Sequence, residues 1–407
     1  PAGINTKMIL AALGVVWFIL KGIRDRATNI SKRTLVAGFL AVFFSLWCYF
    51  CIIINGTDDM TYVEYWISFG TWMAGAYAVY CILKGLHGKA DLPLITKYLA
   101  IVAVAQCAIA LMIDNIPLVE DAVKATIRDG YDFFERGGRL YGIGCALDPA
   151  GIRFCTILLL VSHQISANPE IKDNTKATML YILALIIITI VGSMIARTTS
   201  IGTAMSLALI IVSYIQLRRG SYISGQKVRL SASFIALVTF AVVVSMYLYN
   251  SNTTFREDMR FGFEGFFNWV ETGEFRTTST DILHEVMWVW PYDMHGWLVG
   301  YGRYGLYVWN SDIGYCLFTL YCGLPGLVLF SIFFIYCHLS LNGKYKNFYL
   351  LSLFFVALTF IVWAKVATDI FLMDALLFCM DGDKTVDSQE DPGEVTEGEG
   401  IISGSMA

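Results

Sequence analysis

The chain reads as an all-α integral membrane protein, a polytopic bundle of about eleven transmembrane helices with a large extracytoplasmic loop region. Three features lead there. Of its 407 residues, 57% are hydrophobic. Only 15% are charged, where soluble domains carry about 25%. The apolar residues also fall in long blocks of roughly bilayer-spanning length. Mean hydropathy is +0.60, too apolar for a water-soluble fold to hide. The formal charge of −4 decides little, because opposite signs are segregated along the chain.

The spans follow in order. Residues 8–20 lead into a basic loop with Lys21, Arg24, Arg26, Lys32 and Arg33. Residues 34–54 end at an acidic turn, 55–59. Residues 62–83 reach Lys84, Lys89 and Lys97, and 98–113 form the fourth span. After the hydrophilic segment 114–149 come spans at 151–166 and 177–196, separated by Lys172 and Lys176. Arg197-Thr-Thr-Ser200 makes a tight turn into 201–217, followed by Arg218, Arg219, Lys227 and Arg229. Residues 230–249 form the eighth span, and the largest polar segment runs over 250–312. Residues 313–339 form the ninth, and Lys344 and Lys346 follow. Residues 348–380 hold two short spans that turn near Lys365–Asp369. Residues 381–407 are acidic and poor in aromatics, which predicts a disordered cytoplasmic tail.

Basic loops alternate with acidic or mixed ones, which places the basic loops in the cytoplasm. The segments 114–149 and 250–312 and the Arg197 turn then share the outer face. The amino-terminal end also falls outside. Pro1 then follows either a removed methionine or a further helix upstream, and the orientation rests on the several basic loops. No cleavable signal is expected, because the first apolar block runs into a basic loop.

In the larger outer segment, Phe261, Phe263, Phe266, Phe267, Trp269 and Phe275 interleave with Arg256, Asp258, Arg260, Glu264 and Glu271. This predicts an amphipathic helix at the membrane surface. It serves either as an aromatic anchor or as the border of a groove for a lipid-linked substrate.

Arg197 is the first candidate for chemistry. A lone arginine at a span end can snorkel to head groups. Here Thr198, Thr199 and Ser200 follow it and open a helix, a pattern that suits phosphate. Arg136 and Arg139 lie in a glycine-containing stretch before Asp148-Pro-Ala-Gly151, and Arg303 lies in Gly300-Tyr-Gly-Arg-Tyr-Gly305. Each alone is a plain loop cation; together on one face they form a candidate diphosphate clamp. Asp312 stands where the chain re-enters the membrane. Lys365 and Asp369 lie in an apolar stretch, where ionisable groups are paired or functional. Their spacing also allows a simple structural ion pair. His284 and His295 are the outer-face histidines and candidate bases. His87, His163 and His338 read as structural. Of the ten cysteines, nine lie in apolar blocks and read as buried hydrophobes. No Walker A sequence, H-E-x-x-H or paired CxxC is present, so no metal, cofactor or ATP hydrolysis is expected.

Several segments together resemble O-antigen polymerases (Wzy), especially those of Bacteroides-like bacteria. They are Met194-Ile-Ala-Arg-Thr-Thr-Ser-Ile-Gly202, Met287-Trp-Val-Trp-Pro291, Trp297-Leu-Val-Gly-Tyr-Gly302 and Ser311-Asp-Ile-Gly-Tyr315. Tyr321-Cys-Gly-Leu-Pro-Gly-Leu-Val-Leu-Phe330 and Lys365-Val-Ala-Thr-Asp-Ile-Phe371 complete the set, with the Arg139–Gly151 approach before it. The resemblance spans residues 136–380; the first third of the chain offers hydropathy alone.

It implies a metal-free glycosyltransferase of the superfamily that includes O-antigen ligases, working on polyprenyl-diphosphate-linked oligosaccharide at the periplasmic face of the bacterial inner membrane. It gives Arg197, with Arg139 or Arg303, the grip on the diphosphate, and His295 or His284 the place of the ligase loop histidine. Residues 1–380 would form that transferase domain. Membrane lipids and a chain-length regulator are the expected partners, and no nucleic acid. The competing readings are an O-antigen ligase and, from another class, a lipid-linked oligosaccharide flippase or transporter.

Overall fold

The computed structural model describes residues 6–26, 30–126, 140–143, 147–218, 225–342 and 348–381. Their regular structure is helical, with no strand among the described residues. In chain order the helices begin with α1 (Thr6–Asp25), α2 (Lys32–Asn55), α3 (Tyr65–His87), α4 (Leu92–Asn115) and the short α5 (Pro117–Thr126). Then come α6 (Leu147–Ala167), the brief α7 (Pro169–Asp173), α8 (Thr175–Ile195), α9 (Thr199–Arg218) and α10 (Gly225–Ser251). The polar segment 250–312 contributes α11 (Thr253–Gly262), α12 (Glu264–Thr272), α13 (Thr278–Ile282), α14 (Met294–Val299) and α15 (Leu306–Trp309). The chain closes with α16 (Gly314–Leu339), α17 (Phe348–Trp363) and α18 (Phe371–Asp381).

Seven of these are long and apolar enough to cross a membrane: α1, α2, α3, α4, α6, α8 and α16. Shorter apolar helices occupy α9, α10, α17 and α18, at the remaining positions where the sequence predicts spans. Local chemistry sets several starts. The Ser31, Asp91 and Asn174 side chains accept from Thr34, Leu94 and Ala177 amides and cap α2, α4 and α8.

α1 lies along α3. Lys7 sits 4.1 Å from the Trp72 ring, and further on Phe18 meets Tyr77. The two helices therefore run the same way, as two spans separated by one must. α6 is central: 83% of its apolar window is buried, against 11% for α1. It packs on α4, α8, α9 and α17. Close approach there depends on glycine. A Cβ at Gly202 of α9 would lie 2.4 Å from the Cys155 Cα of α6. A Cβ at Gly151 would lie 2.9 Å from both Ala196 and Thr198. These contacts press the Arg197 turn against the start of α6.

The ninth expected span departs from a straight rod. Cys322 and Gly323 leave helical geometry inside α16, with Gly323 at φ 71 and Pro325 just beyond. The two halves fold together, so Phe318 and Phe330 rings lie 5.1 Å apart. Proline removes a helical donor and clashes with the preceding turn, which explains the break. The freed carbonyls find protein donors: Trp47 Nε1 donates to Cys322 O at 2.8 Å, and Gly302 N to Tyr321 O at 3.0 Å. In lipid such groups must be satisfied internally.

The expected amphipathic segment is two helices, α11 and α12, divided at Phe263. Gly262 lies against the backbone of Ser193 and Met194, seating the pair on the carboxy-terminal end of α8. Beneath them a groove of about 900 Å³ opens between α8, α9 and α10. Its walls are apolar, with Met259, Phe263, Phe266 and Phe267 forming the roof. Arg136, Arg139, Lys344, Lys346 and the tail 382–407 lie outside the described residues.

Candidate functional site

The turn between α8 and α9 carries Arg197. Thr199 anchors this turn by donating to Gly192 O at 3.0 Å from a fully buried position. The Arg197 guanidinium lies over the Phe261 ring, 4.2 Å from its centre, a cation–π contact. Its Nη1 forms an ion pair with Glu264 of α12 and a 3.3 Å hydrogen bond to Ser279. Glu264 Oε1 in turn accepts from the Thr278 amide at 2.9 Å and its hydroxyl at 2.7 Å.

Next to Arg197, Thr198 is buried and donates to Asp148 in the first turn of α6. Lys365, in the turn after α17, reaches both: its Nζ lies 2.8 Å from Asp148 Oδ1 and 2.8 Å from Thr198 Oγ1. Leu147, directly before Asp148, takes φ 57. That conformation costs a non-glycine residue energy, and such strain gathers at functional sites.

One cavity of about 260 Å³ joins these groups. Asp148, Arg197, Phe261, Ser279, Asp312 and Lys365 line it, with Leu283 and Met287 of a π-helical turn on one wall. Asp312 is half-buried, and its carbonyl accepts from the Ala367 amide at 2.9 Å, tying two re-entering segments together. Burial pushes the Asp312 carboxyl above the usual range; Asp148 adds to this and Lys365 opposes it.

Of the candidates read from sequence, Arg197, Thr198, Asp312 and Lys365 come together. Thr199 supports them from beneath. Lys365 pairs with Asp148, not Asp369; the Asp369 carboxylate instead accepts from the Phe371 amide at 3.0 Å and caps α18. His295 is exposed and hydrogen-bonds to Asn55 at 2.9 Å, at the end of α2. Arg303 and His284 are exposed. None of these three lines the Arg197 cavity. Arg136 and Arg139 lie outside the described residues.

Asp148, Phe261, Glu264 and Ser279 enter the site without having been singled out for it. The site's carboxylates outnumber its cations by one. Two cations, Arg197 and Lys365, face Asp148, Glu264 and Asp312. An anion arriving here must exchange with a carboxylate. Among the described residues, no cluster of His, Cys, Asp and Glu is arranged to hold a metal.

A second buried polar group lies elsewhere. His338 Nδ1 is 2.9 Å from Asp374, and Nε2 is 2.9 Å from Thr359. It joins both stems of the turn that carries Lys365. The histidine read as structural thus sits in a three-helix clamp.

No family model, curated protein or solved structure matches the chain.

Proposed function

We propose that the chain is a membrane glycosyltransferase that lengthens a polysaccharide, as the resemblance to O-antigen polymerases implies. The carrying observation is the cavity that gathers Arg197, Lys365, Asp312 and Asp148 where four separate chain segments meet. In this reading the chain crosses a bacterial inner membrane eleven times, and the cavity opens to the periplasm. The apolar groove beside it accepts the polyprenyl chain, since α11 borders both.

A growing glycan on polyprenyl diphosphate is the donor. The terminal sugar hydroxyl of another lipid-linked repeat is the acceptor. The hydroxyl oxygen attacks the anomeric carbon, and the bond from that carbon to the diphosphate oxygen breaks. Asp312 takes the hydroxyl proton; a raised carboxyl pKa suits that task. Arg197 and Lys365 stabilise the charge on the departing diphosphate. Phe261 fixes the guanidinium plane. A chain-length regulator is the proposed protein partner.

One observation favours a transporter. Discontinuous helices mark transport sites, and α16 is broken at Cys322–Gly323. Against this, the carbonyls freed at the break are taken by Trp47 and Gly302. Reconstituted protein given lipid-diphosphate repeats separates the readings. Lengthened lipid-linked glycan supports the polymerase, glycan joined to lipid A-core the ligase, and translocation without a new glycosidic bond the transporter.

A further inference from the structure

Glu264 stands where the ligand's charge belongs. Its carboxylate pairs with the Arg197 guanidinium, and its other oxygen holds the Thr278 amide and hydroxyl. One side chain therefore binds the cation of the site and fastens the start of α13. Arg197 and Glu264 side chains are each only 21% exposed, so the pair is sheltered from solvent screening. Ser279, which also bonds Arg197, belongs to that same helix. Phe261 and Glu264 flank the α11–α12 junction. The Arg197 guanidinium thus ties α12 and α13 to the cavity, beside the Gly262 seat on α8.

We infer that Glu264 is a built-in carboxylate stand-in for the substrate's diphosphate, and that ligand exchange at Arg197 releases α12 and α13. This rests on the reading of Arg197 as an anion-binding group. Before exchange, Arg197 keeps a partner and is not left as an uncompensated charge. After exchange the diphosphate takes the guanidinium, for which phosphate is a bidentate match. Glu264 then repels the new anion. The α12–α13 segment moves outward, and the acceptor sugar gains room beside Asp312. A neutral lipid cannot trigger this step, so opening is tied to a diphosphate-bearing substrate. Binding carries the cost of breaking the internal pair.

The test uses purified full-length protein and inorganic pyrophosphate, followed by titration calorimetry. Glu264→Gln keeps the shape and the bonds to Thr278 but removes the competing charge. It is expected to bind pyrophosphate about tenfold tighter than the parent, and Arg197→Ala is expected to abolish binding in both backgrounds. Arg197-dependent binding that Glu264→Gln leaves unchanged or weakens overturns the stand-in and leaves the anion site intact. Pyrophosphate binding indifferent to Arg197 overturns the anion-site reading itself. Hydrogen exchange on the unmodified protein gives a second readout that does not depend on a variant folding. Pyrophosphate is expected to speed exchange across residues 264–282, as the segment loses its Glu264 and Ser279 contacts to Arg197. Unchanged or slower exchange with pyrophosphate bound contradicts the release.

Discussion

Lys365 Nζ lies 2.8 Å from Asp148 Oδ1, across 217 positions of chain. This contact joins the turn after α17 to the first turn of α6, with Thr198 bonded to both partners. Neither side chain is more than about a third exposed. Removing one charge strands the other in a sheltered place, and the remaining exposure reduces the penalty. Lys365→Met is expected to cost about 2 kcal/mol of stability. Adding Asp148→Asn should recover most of that stability without restoring the proposed glycan transfer. Thermal unfolding of the two single variants and the double variant measures this coupling; additive losses would show that the pair is not coupled.

As the base of the proposed transfer, Asp312 should set the acidic limb of the rate profile. A base works deprotonated, so activity falls as pH drops through its pKa. That pKa is raised by burial and by Asp148, so the limb lies above the ordinary carboxylate value of about 4. Asp312→Asn is expected to lower kcat about 100-fold and to erase the limb. Turnover of lipid-linked repeats between pH 4 and 8 is the check. An unchanged limb in the variant would remove Asp312 from the base role.

Asp258 predicts a different pH dependence. It is 6% exposed, on the inward side of α11. Burial, then Asp114 and Glu257, push its carboxyl up to about 7. The folded chain thus holds a proton that the unfolded chain releases near pH 4. Stability therefore falls as pH rises from about 4 to 7 and levels off above. Asp258→Asn is expected to raise Tm at pH 8 and leave it nearly unchanged at pH 4. Equal shifts at both pH values would mean that the gain is not electrostatic.

The glycine contact that seats the Arg197 turn is equally open to test. Gly202→Ala places a methyl 2.4 Å from backbone of α6, a clash that no rotamer relieves. The expected loss is about 1–3 kcal/mol, with larger damage to transfer than to expression. Unfolding midpoints that match the parent would show that α6 and α9 yield easily.

The sequence exposes single polar residues in apolar surroundings more readily than it exposes their partners. Arg197, Asp312 and Lys365 stand out because hydrophobic spans flank them, where a charge is costly. Asp148 and Glu264 do not, because each lies in a polar segment and meets its partner only through folding. Arg197 and Glu264 are 67 positions apart. Local spacing favoured a Lys365–Asp369 pair; the non-helical turn between α17 and α18 removes the geometry that spacing assumes. The sequence pattern reads 313–339 as one continuous span and passes over Gly323-Leu-Pro325-Gly, where proline cannot continue the hydrogen-bond ladder. The consequence of the break in α16, two halves folded together at Phe318 and Phe330, depends on tertiary packing. The candidates His295 and Arg303 belong to the neighbourhood of Asn55 and Trp309. Only the fold separates that neighbourhood from the Arg197 cavity.

The most direct test is the rate of glycan lengthening by purified protein with Arg197 replaced. Fixed positive charge at the departing diphosphate is worth about 3 kcal/mol per donor. Arg197→Ala, with the parent's unfolding midpoint, is expected to lengthen lipid-diphosphate glycan about 100-fold more slowly. A variant that folds normally and extends the glycan at the parent rate would contradict the account.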